Sequence, residues 1–144
     1  SNNSGCSGAA VTRGKQGEHI KEITKSFPYW FCGNYQKYID REHEMPFDQH
    51  QLLALMAPRK LYVASAEEDT WADPYSEFMA AKLASDAYDL LGMTGLVNPT
   101  GEMIGANEHL HEGNVGYHMR SGKHFMSRYD WQQYMMYFDK RCPG

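Results

Sequence analysis

The sequence predicts an α/β fold, a three-layer αβα sandwich with a mostly parallel sheet, from two patterns. Segments with apolar residues at helical spacing alternate with short apolar runs, in the order helix, strand, helix, strand, helix. This alternation is typical of a parallel sheet covered by helices. The second pattern is that acidic residues follow one predicted strand and a histidine follows the next. Because two strands do not make a stable parallel sheet, we expect further strands upstream of residue 1.

The predicted elements are bounded by prolines and glycines. Pro28 and Pro58 end two helices and Pro74 begins a third, as expected of a residue without a backbone N–H. A continuous apolar run predicts a strand covered on both faces, and residues 92–113, rich in Gly, Pro and Asn, predict a surface loop. In chain order, we predict helix 18–26, helix 48–57, strand 60–65, helix 74–92, strand 115–119 and helix 127–140.

Apolar residues in two of these helices predict which side is buried. Residues 48–57 contain three leucines and a methionine, which predicts one buried side. The last predicted helix begins with Ser127 as its N-cap, a residue type favoured there because its hydroxyl accepts from a free backbone N–H. Its predicted buried stripe consists of Trp131, Met135 and Phe138.

Composition places the chain among globular proteins and excludes some partners. The 144 residues are 42% hydrophobic and 22% charged, which suits one domain with its own core. We therefore predict that residues 1–144 form the C-terminal part of a single domain. The net charge of −4 argues against nucleic acid or an anionic membrane surface as partner, and no apolar stretch approaches the length of a membrane-spanning helix.

Aromatic and cysteine residues leave alternatives open. Ten Tyr, six Phe and three Trp are compatible with sugar-stacking surfaces or with large side chains filling a core. Cys6, Cys32 and Cys142 form an odd set, so one disulfide with a leftover thiol, a partner in another segment and three free thiols are all possible. We expect Cys32, beside aromatic residues, to be a buried structural cysteine rather than a nucleophile, because apolar surroundings raise a thiol pKa.

Asp69 and His124 are the candidate catalytic residues. Each follows a predicted strand, at the end of a parallel sheet where ligands bind. The order acid then histidine matches the second half of an α/β-hydrolase triad, in which histidine transfers the proton and the acid orients it. No Gly-x-Ser-x-Gly motif precedes Asp69, so we predict the C-terminal portion of an α/β-hydrolase fold. The alternative is a helix-capping aspartate and a loop histidine.

Four acids compete for the role of triad acid. Asp69 is our first choice and Glu68 our second, because a residue about four positions past the strand reaches the middle of the sheet. Asp73 precedes Pro74 and is better placed to cap the following helix. Glu67 is the fourth acid of this segment.

The chain resembles the C-terminal part of glucuronoyl esterases, carbohydrate esterase family 15, and of their bacterial branch in particular. The resemblance runs in collinear order over nearly the whole chain. It is carried by motifs such as Phe-Pro-Tyr-Trp-Phe-Cys, Pro-Phe-Asp-Gln-His and Gly-Lys-His. The matching stretches are residues 3–10, 27–32, 46–50, 57–59, 63–69, 71–74, 116–118 and 122–124.

The resemblance implies a serine esterase without metal or other cofactor. Such enzymes cleave esters that join 4-O-methyl-glucuronic acid on xylan to lignin alcohols, and the resemblance implies a secreted or periplasmic protein. Their nucleophile lies in a Gly-x-Ser-Arg-x-Gly-Lys segment, which would lie upstream of residue 1. We therefore expect these 144 residues to need the N-terminal part of the enzyme as partner and to be inactive alone.

By position, the resemblance assigns roles to four residues. His124 resembles the general base, Trp71 the tryptophan beside the glucuronate ring and Glu18 a glutamate that binds sugar hydroxyls. Trp71 could instead close the core, and Glu18 could be favoured by the helix dipole alone. Asn3 stands where many members, the fungal ones especially, carry the triad acid, so the acid role shifts to Asp69.

The sequence also argues against a disulfide found in fungal members and against a metal site. Phe125 stands where fungal members have a cysteine that pairs with one beside the serine, so that disulfide is not expected. His109, His111 and His118 are weak evidence for a metal site because cysteines or acids at fixed spacing do not accompany them. We predict no metal site.

Two other functions compete with glucuronoyl ester hydrolysis. Another carbohydrate esterase, such as an acetyl-xylan esterase, predicts a tight acetyl-sized pocket. A non-catalytic polysaccharide-binding module predicts exposed aromatic rings and a His124 far from any acid. A hydrogen bond between Asp69 and His124 would count against that module.

Overall fold

A three-stranded sheet forms the middle of the protein in a computed structural model that describes residues 1–141, the side chain of Arg141 excepted. The strands are β1 (Leu61–Ala66), β2 (Glu108–Leu110) and β3 (Val115–Arg120), in the spatial order β1-β3-β2. β1 and β3 pair in parallel, and β2 pairs with β3 in the antiparallel sense. The predicted alternation of helices and parallel strands is confirmed.

Residues 1–141 also form four α-helices and two short 3-10 helices. The 3-10 helices cover Tyr35–Tyr38 and Glu42–Glu44. The α-helices are α1 (Ile20–Ser26), α2 (Gln49–Ala54), α3 (Pro74–Leu90) and α4 (Arg128–Arg141).

The first residues of the chain extend the sheet beyond β1. The Asn3 N–H donates to the Ala64 carbonyl at 2.8 Å, and the Ala64 N–H donates to the Ser1 carbonyl at 3.0 Å. Asn2 forms a parallel bridge with Ala64. Residues 1–3 therefore run beside β1, on the edge away from β3.

One face of the sheet packs on α3. Side chains alternate between the two faces of a strand, so Leu61 and Val63 of β1 point to the same side as Val115 and Tyr117 of β3. These residues join Phe78 of α3 in the apolar core. The Tyr117 and Phe78 rings meet edge to face, 5.4 Å apart.

The opposite face of the sheet packs on α4. Tyr62 of β1 contacts Tyr134 and Tyr137 of α4, with ring centroids 5.1 and 4.8 Å apart. His118 of β3 bonds Asp130 of α4 at 2.8 Å. Helices on both faces of the sheet give the three layers that the sequence predicts.

The predicted buried stripe of α4 is wrong. Trp131, Met135 and Phe138 are all exposed, by 56, 56 and 60%. The face of α4 that packs on the sheet instead carries Asp130 and Tyr137, both buried. Hydrogen bonds hold this face in place, so the most apolar side of the helix is not the buried one.

Two smaller predictions are also corrected. β2 lies inside residues 92–113, for which the sequence predicts a loop only. α2 does have one packed side, through Leu53 and Ala54, while Leu52 and Leu55 are exposed.

The cysteines differ from the expectation at one position. Cys6 is buried and Cys32, predicted to be buried, is exposed; both are free thiols. Burial raises the pKa of the Cys6 thiol to about 11. Cys142, the third cysteine of the predicted pairing alternatives, lies outside the described residues.

Within residues 1–141, no helix has the length and apolar character needed to span a bilayer.

Gly116 tests the close packing between the sheet and α4. A Cβ at Gly116 would lie 2.5 Å from the Tyr62 ring and 2.8 Å from the Tyr137 ring. We expect Gly116→Ala to lower the free energy of unfolding by about 1–3 kcal/mol, because overpacking displaces both rings. Urea unfolding measures it, with Gly33→Ala as control, since a Cβ at Gly33 meets nothing within 4 Å. Equal stability of the two variants would contradict this packing.

Glu77 of α3 makes stability depend on pH. It is buried and accepts from the Gly5 N–H at 3.0 Å and from the Ser65 hydroxyl at 2.7 Å. Burial raises the pKa of this carboxyl from 4.5 to about 7. The folded state therefore keeps a proton that the unfolded state has already released, so the stability contribution of Glu77 falls as pH rises between these values.

We expect the free energy of unfolding of the wild type, relative to Glu77→Gln, to fall by up to about 3 kcal/mol from pH 5 to pH 8. Urea unfolding across this range measures the difference. Glu67→Gln, at an exposed position, should parallel the wild type at every pH. A pH-independent difference between wild type and Glu77→Gln would show that Glu77 does not titrate in this range.

Candidate active site

The loops that follow β1 and β3 lie side by side at one edge of the sheet. The Glu67 N–H donates to the Arg120 carbonyl at 2.8 Å, and the Glu68 N–H donates to the Gly122 carbonyl at 3.0 Å. Ala66, the last residue of β1, is paired with Arg120, the last residue of β3. The two loops therefore leave the sheet at the same level.

These loops bring His124 and Asp69 into contact. His124 Nδ1 lies 2.8 Å from Asp69 Oδ2. The Asp69 side chain is 5% exposed and the His124 side chain is 70% exposed. A carboxylate at Nδ1 favours the tautomer with the proton on Nδ1, which leaves the Nε2 lone pair free to accept a proton.

The acid beside His124 is Asp69, and Glu68 is not. The Asp69 carboxylate also accepts from the Ala72 N–H at 3.3 Å, which fixes the side chain in the turn after β1. Glu68 is exposed, and the described contacts include no bond between its carboxylate and His124. The geometry therefore brings together the histidine and the first-choice acid of the sequence analysis.

Asp73 caps α3, as the sequence predicts. Its carboxylate accepts from the Ser76 N–H at 3.2 Å and from the Ser76 hydroxyl at 2.6 Å. It also accepts from the Gln16 N–H at 2.7 Å. Asp73 thus ties the segment before Glu18 to the loop after β1.

Lys15 and Gly17 fix the position of Glu18 against Trp71. The buried Lys15 ammonium donates to the carbonyls of Trp71 and Ala72 at 3.2 and 2.9 Å, and the Glu18 N–H donates to the Trp71 carbonyl at 3.0 Å. Gly17 has φ +71°, and a Cβ there would lie 2.5 Å from the Trp71 carbonyl. Only glycine allows this approach.

The Trp71 side chain also affects Glu18. Burial raises the pKa of Glu18, and hydrogen bonding with the Trp71 side chain and the Lys15 charge oppose the rise. Trp71 is 55% exposed, so it does not close the core.

Glu18, Trp71, Asp69 and His124 line one cavity of about 560 Å³. Its walls combine carboxylates, an imidazole and aromatic rings, a mixture typical of a ligand site. The remaining lining residues are Asn3, Ser4, Ile23, Phe27 and Trp30.

Sequence reasoning missed the aromatic wall of this cavity. The Phe27 and Trp30 rings stack with centroids 4.1 Å apart. The abundance of aromatic residues was the available signal, but it did not say which rings face the cavity. Asn3, which also lines the cavity, is buried and donates its side-chain N–H to the Phe125 carbonyl at 3.1 Å.

Two of the three histidines considered as metal ligands, His111 and His118, belong to a hydrogen-bonded chain instead. The Tyr62 hydroxyl lies 2.7 Å from His111 Nε2 and 3.0 Å from His118 Nδ1. Burial lowers the pKa of both histidines, that of His111 to about 4, so both imidazoles are neutral at pH 7. In the described part of the chain, no three His, Cys, Asp or Glu side chains are grouped to hold a metal ion.

Known proteins resemble the chain in sequence and in structure. The family model described as glucuronyl esterase of fungi matches residues 1–92. A carbohydrate esterase from an unknown prokaryotic organism is 43% identical over 144 residues, which are all of this chain and 33% of that protein. A 4-O-methyl-glucuronoyl methylesterase of Podospora anserina is 30% identical over 108 residues, 74% of this chain and 22% of that protein.

Two solved structures superpose closely. A promiscuous family 15 carbohydrate esterase from a marine bacterial metagenome is 43% identical with a TM-score of 0.94, over 99% of this chain and 35% of that one. A glucuronoyl esterase from Solibacter usitatus is 50% identical with a TM-score of 0.85, over 95% of this chain and 34% of that one.

The chain spans about a third of the length of the first of these relatives. The predicted α/β-hydrolase fold is confirmed as a partial fold, because this mixed sheet and its helices superpose on esterases of that fold. The family model covers more than half of the chain, and the residues that carried the resemblance lie within the matched regions. The chain belongs to the glucuronoyl esterase family, carbohydrate esterase family 15.

Proposed function

We propose that these residues supply the histidine and the acid of a serine esterase that cleaves 4-O-methyl-glucuronoyl esters between glucuronoxylan and lignin alcohols. The observation that carries the proposal is the 2.8 Å contact between His124 and Asp69 in a chain of this family. The nucleophilic serine would be supplied by sequence upstream of residue 1, as the resemblance implies.

His124 would act as general base and then as general acid. Its Nε2 takes the proton of the serine as the hydroxyl attacks the ester carbonyl, and the same proton passes to the leaving alcohol. In the second half-reaction, water attacks the acyl carbonyl as Nε2 takes one of its protons, and that proton passes to the serine oxygen as the acyl–serine bond breaks and glucuronate is released. Asp69 keeps the imidazole oriented and stabilises the imidazolium formed in each half.

Glu18 and Trp71 would bind the uronate. The Glu18 carboxylate can accept hydrogen bonds from sugar hydroxyls, and the exposed Trp71 ring offers an apolar face beside them. Both line the cavity of His124, so a sugar held there would present its ester to the histidine.

Two structural features favour this proposal over its alternatives. A cavity of about 560 Å³ is much larger than an acetyl group requires, which speaks against an acetyl-specific esterase. A non-catalytic polysaccharide-binding module has no need for the buried Asp69 that holds His124.

We also propose that the enzyme is secreted or periplasmic, where a polymeric substrate is accessible, and that residues 1–144 alone are inactive.

Removing the histidine or the acid tests the catalytic assignment. In a protein that joins these residues to the nucleophile segment, we expect His124→Ala to lower kcat by about 10⁴-fold or more. Asp69→Asn should lower kcat by about 10²–10⁴-fold, because the amide stabilises the wrong imidazole tautomer. Hydrolysis of benzyl glucuronate measures both.

Glu68→Gln is the matched control for the acid. Glu68 is exposed beside Asp69, and its substitution should change kcat by less than about twofold. A large loss in Glu68→Gln with normal rates in Asp69→Asn would transfer the acid role to Glu68.

Sugar recognition is tested by comparing two substrates. We expect Trp71→Ala and Glu18→Gln each to lower kcat/KM for benzyl glucuronate by about 10–100-fold, since the first removes the ring beside the uronate and the second replaces an ionised acceptor of its hydroxyls by a weaker neutral amide. Hydrolysis of phenyl acetate, which carries no sugar, should change by less than about threefold.

Tyr29→Ala is the control for loss of an exposed ring. Tyr29 is 98% exposed and is not among the residues that line the cavity. If Trp71→Ala lowered the rates for both substrates equally, the uronate would not be bound by Trp71.

A further inference from the structure

We propose that Arg120 is a positioning residue, whose guanidinium holds the loop that carries His124 in the geometry needed to contact Asp69. This inference rests on the proposed function, since it concerns the histidine to which that function assigns the proton transfer. It identifies a residue of β3 that has no place in the triad and is not among the residues that line the cavity.

The Arg120 guanidinium donates to three carbonyls around His124. Nη1 donates to the Ser121 carbonyl at 2.9 Å, and Nη2 donates to the Lys123 carbonyl at 2.7 Å. Nη2 also donates to the Phe125 carbonyl. The residues immediately before and after His124 are therefore both bound to one buried side chain.

The loop has few other sources of rigidity. Ser121, Lys123, His124 and Phe125 are all exposed, so the burial of their side chains contributes little to its conformation. The other described bonds to its backbone come from the neighbouring loops and the Asn3 side chain. The three Arg120 bonds are the main link between this loop and the sheet.

The charge of Arg120 is balanced by Asp130 of α4. Arg120 Nε donates to Asp130 Oδ2 at 3.0 Å, and both side chains are buried. Asp130 also accepts from the Ser127 N–H and hydroxyl at 2.6 and 2.7 Å and from His118 at 2.8 Å. Burial raises the pKa of Asp130, but the bonds from Ser127 and His118 outweigh it and the pKa lies below its ordinary value.

The arrangement requires the shape of arginine as well as its charge. A planar guanidinium has five donors spread over three nitrogens, whereas a lysine ammonium carries three donors on one nitrogen, too few for the Asp130 carboxylate and the three carbonyls together. The Arg120 guanidinium carbon also lies 4.1 Å from the centre of the Phe125 ring, a contact that attracts a cation. Lysine at this position could pair with Asp130 but could not reach the same carbonyls together.

The test is Arg120→Lys, with Arg128→Lys as matched control. Arg128 is exposed in the first turn of α4, so the control makes the same exchange without touching the loop. Two quantities are measured: the fraction of the His124 Nδ1–H tautomer, from imidazole ¹⁵N shifts in alkaline solution, and the kcat and KM of benzyl glucuronate hydrolysis in the protein that includes the nucleophile segment.

We expect Arg120→Lys to shift His124 away from the Nδ1–H tautomer and to lower kcat by about 10–100-fold, with KM changed by less than about twofold. Arg128→Lys should match the wild type in both quantities. A folded Arg120→Lys protein that keeps the wild-type tautomer fraction and kcat would overturn the inference.

A second variant covers the case in which Arg120→Lys does not fold. Arg120→Met combined with Asp130→Asn removes both charges, so no buried charge is left unpaired, while the amide oxygen introduced at position 130 can still accept from His118. The same tautomer shift is expected, and an unchanged tautomer overturns the inference. If no variant and no wild-type protein hydrolyses the ester but the tautomer still shifts, the positioning role stands and the proposed function fails.

Discussion

The parallel pairing of β1 with β3 is the constraint on which the site depends. The register sets Ala66 opposite Arg120, so both strands end at the same level and their loops begin side by side. Helix α3 makes the connection that parallel strands need. With that register fixed, an acid three residues after β1 and a histidine four residues after β3 can meet, as Asp69 and His124 do at 2.8 Å. A shift of one residue in the register would turn every inward side chain outward.

The same strand end carries a buried ion pair. Removing Arg120 and Asp130 from water is costly, and such pairs are seldom a net source of stability. Here the remaining donors and acceptors are satisfied by Ser127, His118 and the loop carbonyls. The arrangement is therefore better understood as fixing one conformation, because an unpaired charge in any other arrangement of the loop would be strongly disfavoured.

Much of the fold could be predicted, because apolar periodicity locates helices and strands. The meeting of Asp69 with His124 could be predicted because the loops that follow parallel strands lie at the same edge of the sheet, where ligands bind. Periodicity failed for α4, where the buried face includes Asp130 and the apolar Trp131 is exposed. The expectation drawn from apolar neighbours failed for Cys32, which is exposed although Trp30 and Phe31 are adjacent to it in the sequence. Composition alone cannot distinguish a face held by hydrogen bonds from one held by apolar contact.

The positions of Arg120 and Lys15 were not predicted from the sequence for a related reason. Each is a buried cation that donates to three carbonyls of nearby loops: Lys15 to those of Gln16, Trp71 and Ala72, and Arg120 to those beside His124. Burial lowers the pKa of Lys15, because the charged ammonium is less stable away from water. Loops that expose a ring or an imidazole to a ligand cannot be fixed by burying those same side chains. A cation beneath the loop fixes the backbone and leaves the side chains free, and both sides of the proposed site are built in this way.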